Sequence, residues 1–284
     1  MPSMKAIKRR IASVGNTNQI MKAMNLVAAS RLQKDKEYLK AVRPLLTETK
    51  RIIGGVGYTE ATAENLFVKK REVKNAAFVV ITSDRGLCGG YNVNIAKEAL
   101  AVIGKVKNEK IIAVGVKGRD FFRRRKKNII SQYIGASDAN FYEDAQQIGK
   151  MLVSMYRSGE IDEVYVAHTK FESMLSHVPT VDRILPIVSD TDELREHSGA
   201  EMNYEPDVNT FLEQAIPMYI NAFLYGAMVE SAVCEQASRM MSMDAATNNA
   251  AEIIEDLTLE YNRRRQGAIT QEINEIVSGA NALS

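Results

Sequence analysis

Tryptophan is absent from the 284 residues, histidine occurs three times and cysteine twice. Each scarcity removes a class of function. His168, His177 and His197 stand in no His-Glu-x-x-His or comparable spacing, so zinc chemistry has no sequence support. Cys88 and Cys234 are far apart and in no metal-like pattern, which argues against a disulfide framework and for a reducing compartment. No apolar run approaches the ~20 residues that span a bilayer. The opening Met1-Pro2-Ser3-Met4-Lys5 has no apolar signal core. The expectation is a mature cytosolic protein with no membrane segment of its own. The net charge of +2 gives the totals no signature of nucleic-acid binding. No Gly-x-x-x-x-Gly-Lys-Ser/Thr phosphate loop occurs. The expectation is therefore no cofactor and no resident metal.

Charge is unevenly spread. Residues 1–57 hold 12 Lys and Arg against 3 acids, and residues 207–284 hold 4 Arg against 11 acids. Ends of opposite sign suit segments that lie against each other.

Both ends read as long helices. From Ser3 to about Gly54 there is one Pro, Pro44, and one Gly, Gly15, among many helix formers. Ile11, Val14, Met21, Ala28, Leu32, Leu39, Val42 and Leu46 recur at alternating steps of three and four, with Asn18, Asn25 and Asp35 filling the gaps. That is a heptad seam with polar interruptions. The C-terminal stretch from Asp207 repeats the theme through Leu212, Ile216, Phe223, Ala227, Cys234, Ala237 and Met241, then Ile254, Leu257, Tyr261, Ala268, Ile276 and Ala280. At 1.5 Å per residue these helices would reach roughly 75 Å and on the order of 100 Å. Neither can bury its stripe alone, so an antiparallel two-helix coiled coil is expected, with the middle of the chain reversing the direction. The domains expected are a helix over 1–57, an α/β domain over 70–190 and a helix over 207–284.

The middle alternates strand and helix patterns. Residues 76–82, 111–116, 128–134, 163–171 and 178–188 read as strands, and 91–103, 118–127 and 141–157 as helices. Such alternation indicates βαβ units and a Rossmann-like domain. The loop Ser83-Asp84-Arg85-Gly86-Leu87-Cys88-Gly89-Gly90 after the first strand invites a nucleotide-binding hypothesis. Its glycines do not form Gly-x-Gly-x-x-Gly, which favours a structural turn. Cys88 is a nucleophile only with a base beside it. The basic run Arg123-Arg124-Arg125-Lys126-Lys127 reads as a solvated face or as a contact for acidic lipid heads or an acidic partner. The residues leave two readings open: a mechanical or scaffolding protein, or a small-molecule-binding α/β enzyme domain oligomerised by coiled coils.

Three segments are similar to the γ subunits of F-type ATP synthases. They are Ile7-Lys8-Arg9-Arg10-Ile11-Ala12-Ser13-Val14, continuing to Lys22-Ala23-Met24 and Val27-Ala28-Ala29-Ser30-Arg31-Leu32; the loop from Ser83 to Asn92; and Ala237-Ser238-Arg239-Met240, Met243-Asp244-Ala245-Ala246-Thr247-Asn248-Asn249-Ala250 with Ile269-Thr270-Gln271-Glu272-Ile273. The resemblance covers nearly the whole chain in order.

It implies a non-catalytic central-stalk rotor. The terminal helices would form an antiparallel coiled coil inside an α3β3 hexamer whose β subunits carry the catalytic sites. The α/β domain would rest on the c ring beside the ε subunit, on the cytoplasmic side of a bacterial cell membrane, touching the membrane only through that ring. Met24, beside Lys22, matches a position that faces β, and Arg239 a residue close to it. Arg265, Gln266 and Thr270 match positions that meet a β loop. Arg264 and Gly267 depart in type from the family's usual residues. Tyr204 and Glu205 match the foot segment that meets the c ring. Cys88 and Cys234 do not match the paired cysteines of the plastid relatives' regulatory loop, so no thiol switch is expected.

Overall fold

The structure is a computed structural model that describes residues 3–55, 64–69, 71–135, 140–187 and 207–283. Two long helices bracket a five-stranded sheet. Helix α1 runs Met4–Gly55. Strand β1 (Asn75–Ile81), helix α2 (Tyr91–Ile103), β2 (Asn108–Val114), α3 (Val116–Arg124), β3 (Ile129–Tyr133), α4 (Phe141–Arg157), β4 (Glu163–Phe171) and β5 (His177–Leu185) follow. Helix α5 runs Val208–Leu283. By internal contacts the chain divides into two compact units. One comprises Met1–Ala29 with Arg239–Ser284, and the other comprises Ser30–Ser238.

In the larger unit the sheet order is β3-β2-β1-β4-β5. The first four strands are parallel, as the βαβ alternation predicts, and β5 pairs antiparallel with β4. The antiparallel edge follows from the short connection between them. Residues 172–176 close a hairpin through the Glu172 and Ser173 amides, which donate to the Ser176 carbonyl, and so few residues cannot make a parallel crossover. Strand β1 lies at the centre, and its apolar run is buried on both faces, as an interior parallel strand requires.

Ala76, Phe78 and Val80 pack one face of the sheet against Ile95, Ala96, Ala99 and Ile103 of α2 and Phe122 of α3. Within this unit α5 runs alongside β4. The Thr169 amide donates to Ser231 Oγ (3.3 Å) and the Phe171 amide to Glu230 Oε1 (3.2 Å). Helix α5 is buried almost all round between Ile220 and Ala237, as expected for a helix covered on several sides. Small residues let its neighbours approach. A Cβ on Gly226 would lie 2.3 Å from the Leu46 side chain of α1, and one on Gly149 of α4 would lie 1.9 Å from Asn221 Oδ1.

Helix α5 starts where Asp207 caps it. Its carboxylate accepts the amides of Asn209 and Thr210, and the Thr210 hydroxyl, an N-cap arrangement that satisfies first-turn donors. Those hydrogen bonds hold the Asp207 carboxyl below its usual range. Pro44 and Pro217 stand inside α1 and α5 without ending them.

A polar cluster joins β4 to the edge strand β5. His168, 3% exposed, bonds Asp182 Oδ2 through Nε2 at 3.0 Å, and Lys170 Nζ lies 3.3 Å from the same oxygen. Burial pushes the Asp182 carboxyl up, but His168 and Lys170 more than offset it and hold it below the usual carboxylate range. A lowered folded pKa stabilises the fold above the unfolded value of about 3.9 and loses that contribution as pH falls through the folded one. Asp182→Asn is therefore expected to destabilise the protein at pH 7 but to lose less further stability between pH 6 and pH 3 than the parent does. Denaturant unfolding at both pH values checks this, and equal acid sensitivity would contradict it.

Candidate coupling surfaces

The loop after β1 is consumed by its own structure. Asp84 Oδ1 accepts the Val116 amide at the start of α3 (3.0 Å), and Oδ2 accepts the Gly135 amide beyond β3 (2.8 Å). Thr82 Oγ1 donates to the Val114 carbonyl and accepts the Gly118 amide, both at 2.8 Å. Asn92 Oδ1 accepts the Ser83 amide, and its Nδ2 donates to Cys88 Sγ at 3.1 Å. Leu87 and Gly89 take left-handed φ of 64° and 55° to make the turn. At the start of α3 the Val116 and Gly118 amides have side-chain acceptors, and the Lys117 amide donates to the Ser83 carbonyl. This explains why α3 begins at Val116, two residues ahead of the start read from the sequence.

Close approach fixes the glycines here. Gly115 has φ 91°, and a Cβ there would lie 2.3 Å from the Thr82 carbonyl oxygen. The loop is also tied to α5, because Ser238 Oγ donates to the Cys88 carbonyl at 2.7 Å. Two of the family-like segments thus meet in one hydrogen bond.

Catalytic chemistry finds no support among the described residues. Cys88 and Cys234 are buried and form one apolar cluster with Tyr91, and burial pushes the Cys234 thiol up, away from a reactive thiolate. His168 is occupied by Asp182, His177 stacks on Phe171, and His197 lies outside the described residues. No group of three or more potential metal ligands occurs among the described residues.

The smaller unit presents a different surface. Ile7, Ile11, Val14, Asn18, Met21, Asn25 and Ala28 are buried or half-buried on α1, while the residues between them are exposed except for half-buried Gly15 and Met24. This is the heptad seam expected from the spacing. On α5 the matching positions are Met243, Ala246, Thr247, Ala250, Ile254, Leu257 and Tyr261. Met241, read from the sequence as part of this stripe, is 37% exposed, and Met243 takes the inward position at 3%. Asn25 Nδ2 donates to the Met240 carbonyl at 3.0 Å. Counting seven residues back along α1 and seven forward along α5 brings Asn18 level with Thr247. Both Asn18 Oδ1 and Thr247 Oγ1 are buried without a hydrogen-bond partner, so this layer of the seam is polar and unsatisfied.

The same antiparallel count brings Met4, the first residue of α1, level with Tyr261. Beyond Arg264, which pairs with Glu260 at 2.8 Å, α5 has no helix of the described residues beside it. Every residue from Arg265 to Ser278 is exposed. Ile269, Ile273, Ile276 and Val277 form an open apolar stripe on this overhang, 48–66% exposed, so Ala268 and Ile276 are surface residues and not seam residues. The unpartnered stripe is what sequence reading missed. Its signal was present in the three- and four-residue spacing from Ile269, but the spacing does not say that α1 is too short to cover it.

The residues matched to coupling positions fall into two groups. Lys22 is exposed, Met24 half-buried and Arg239 8% exposed, all within a turn of the Asn25–Met240 contact. Arg265, Gln266 and Thr270 lie on the overhang roughly 38 Å further along α5 at 1.5 Å per residue. There the Thr270 hydroxyl donates to the Gln266 carbonyl at 2.9 Å. A Cβ on Gly267 would meet nothing within 4 Å, and the helix runs through it. Tyr204 and Glu205 lie outside the described residues.

A family model described as ATP synthase matches residues 3–283. An ATP synthase gamma chain of Desulforamulus reducens is 40% identical over 283 residues, covering 100% of both chains. A sodium-ion-specific ATP synthase gamma chain of Acetobacterium woodii is 40% identical over 295 residues, covering 98% of each. Among solved structures, a chain of the Euglena gracilis mitochondrial ATP synthase assembly of OSCP, F1 and c ring superposes with a TM-score of 0.67 at 16% identity. That match covers 99% of this chain and 94% of the other.

Two stability outcomes are expected. Gly115→Ala forces a Cβ into the Thr82 carbonyl at a positive φ and should cost about 3 kcal/mol. Thr247→Val removes an unpaired buried hydroxyl at nearly constant shape and should be neutral or stabilise by ~1 kcal/mol. Urea midpoints of the two variants against the parent measure both. A destabilising Thr247→Val would mean that the hydroxyl has a partner.

Proposed function

Because the chain belongs to the ATP synthase gamma chain family, we propose that it is the central-stalk rotor subunit of an F-type ATP synthase. It couples ion flow through the c ring to ATP synthesis or hydrolysis at the β subunits. The observation that carries this reading is the overhang of α5 past the end of α1. It is a single exposed helix with an open apolar stripe and, at its root, the basic run Arg263-Arg264-Arg265. Such a stripe needs a surrounding surface, and the inner wall of an α3β3 hexamer supplies one without a fixed docking pocket.

The chain contributes no catalytic group. It acts by contact, because a partner changes conformation only when it meets surfaces of different affinity. A helix pair is not three-fold symmetric. At any angle its Lys22, Met24 and Arg239 face meets one β subunit differently from the other two. Arg265, Gln266 and Thr270 do the same near the overhang, through charge and hydrogen bonds. Rotation by the ring then carries each β subunit through the three environments in turn.

The foot reading rests on sequence: Tyr204 and Glu205 stand one residue, Pro206, ahead of Asp207, the cap of α5. The c ring and the ε subunit are the partners expected at that end, on the cytoplasmic side of a bacterial membrane. No helix among the described residues is long and apolar enough to cross a membrane, which fits attachment through the ring.

Mixing the chain with purified α and β subunits tests the reading. One copy is expected to join a 3:3 ring and to raise steady ATP turnover by at least about tenfold. A chain that stays separate and leaves turnover unchanged would refute it. In the full assembly, Met24→Lys should lower ATP-driven ion pumping more than ATP hydrolysis, because it adds a charge at the β-facing surface. Pumping and hydrolysis that stay in the parent's ratio would remove Met24 from the coupling face.

A further inference from the structure

The amino-terminal edge of the parallel sheet carries a basic patch on its β2–β3 side. Lys105 and Lys107 stand exposed in the turn that leads into β2, and Arg124, Arg125 and Lys126 stand exposed in the turn that leads into β3. These strands are neighbours in the sheet. The acids nearby already have partners: Asp120 pairs with Arg119 and Arg123, and Glu109 with Lys127 at 3.2 Å. Lys105, Lys107, Arg124 and Lys126 have no ion pair among the described residues. Cations in the last turn of α3 are favoured by the helix dipole, which accounts for Arg123 and Arg124. The dipole does not account for Lys105 and Lys107, which come from a different element.

Lys126 carries a second indication. It sits at φ 55°, where its amide donates to the Arg123 carbonyl (3.0 Å) and that of Lys127 to the Phe122 carbonyl (3.1 Å). This is the helix-ending turn whose left-handed position favours Gly. A lysine there is strained, and it is exposed at the edge. Arg125 lies flat on Phe121, 3.6 Å from the ring centre, so its guanidinium is also fixed at this end.

The orientation of the edge follows from the fold of this unit. Helix α5 begins at the same end. Asn65 Nδ2 donates to Asn209 Oδ1 at 3.0 Å, Phe67 stacks on Tyr156 in the last turn of α4, and the Ile187 amide donates to the Phe67 carbonyl. The last turn of α4 leads directly into the start of β4. Asp207 and the start of α5 therefore lie at the edge that carries the patch. If the foot segment that precedes Asp207 in sequence meets the c ring, as proposed above, the patch faces the membrane around the ring; the inference rests on that reading.

We propose that this edge is an electrostatic contact for the anionic lipid headgroups that surround the ring. All five charges are exposed, and the apolar residues beside them, Val106 and Phe121, are packed against the core of the sheet, whereas a specific protein interface buries an apolar core of its own. Point charges over a fluid headgroup layer attract without a fixed geometry. The attraction can therefore persist while the rotor turns.

Vesicle flotation of the full chain tests this. It should float with phosphatidylcholine vesicles that contain phosphatidylglycerol, not with phosphatidylcholine alone, and should be released by ~0.5 M salt. Each basic residue near such a surface contributes roughly a fivefold factor. The combined variant Lys105→Gln, Lys107→Gln, Arg124→Gln and Lys126→Gln should then bind more than about a hundredfold more weakly. Lys126→Gly alone should bind about fivefold more weakly while its melting temperature holds or rises, which separates charge from folding. Failure to float with the anionic vesicles, or unchanged flotation of the combined variant, would overturn the proposal. So would a defect of that variant confined to capture by detergent-solubilised c ring, which would make the contact a protein one. The combined variant should still activate α3β3. If the parent chain itself fails to do so, the rotor reading falls instead, and the membrane orientation with it.

Discussion

A long helix with a single apolar seam cannot stand alone in water, and this constraint organises the whole chain. The seam of α1 recurs at three- and four-residue steps from Ile7 to Ile53, and each of its described positions is buried or half-buried. Along it α5 is met at Asn25, which donates to the Met240 carbonyl, at Arg43, which pairs with Glu230, and at Leu46, which lies against Gly226. Packing supplies the stability, not charge. The opposite charge of the two ends gives Arg43–Glu230 at 3.3 Å, but the arginine is half-exposed, and such pairs contribute little. The seam itself is far from a leucine zipper. In the smaller unit it contains Asn18, Asn25, Ala28, Ala246, Thr247 and Ala250. Polar seam positions sacrifice stability for a defined register. In a part that transmits torque, register is the property that must not slip.

The larger unit solves a second problem, which is to fasten a globular domain to a helix so that force passes between them. The loop after β1 does this without a ligand. Asp84 ties together the starts of two successive connections, Thr82 fixes the glycine turn into α3, and Ser238 of α5 donates to the loop's Cys88 carbonyl. A crevice at the carboxyl ends of parallel strands is where α/β folds usually bind small molecules. Here its backbone donors are turned inward to hold the domain's own elements.

Much of this was legible in the sequence because the dominant signals are periodic. The heptad spacing gave both terminal helices to within about a residue, and the apolar runs gave all five strands. What periodicity could not give was direction or length match. The antiparallel pairing of β5 depends on a hairpin that is only five residues long, which apolar patterning does not encode. Strand β2 starts at Asn108, three residues ahead of its apolar run, because its early residues pair with β1 from Asn75 onward. The displacement of Met241 by Met243 is a drift of the seam where the helices begin to pair through small residues. The exposed stripe from Ile269 to Val277 looked like more seam. Only the antiparallel register, set by Asn25 and Met240, shows that α1 ends before reaching it. The roles assigned to Met24, Arg239 and Arg265 came from resemblance; the structure supplies their exposure and spacing.

The central claim is that this chain turns inside its partners. Leu175, at the tip of the β4–β5 hairpin, is 81% exposed, whereas Cys88 and Cys234 are 2% and 0% exposed. A Leu175→Cys variant therefore accepts a single maleimide-linked bead. With the chain assembled into an α3β3 ring fixed to a surface, adding ATP is expected to drive continuous one-directional rotation of the bead, with three dwell positions per turn. A bead that stays still, or wanders without direction, while the same complexes hydrolyse ATP at full rate would contradict the account.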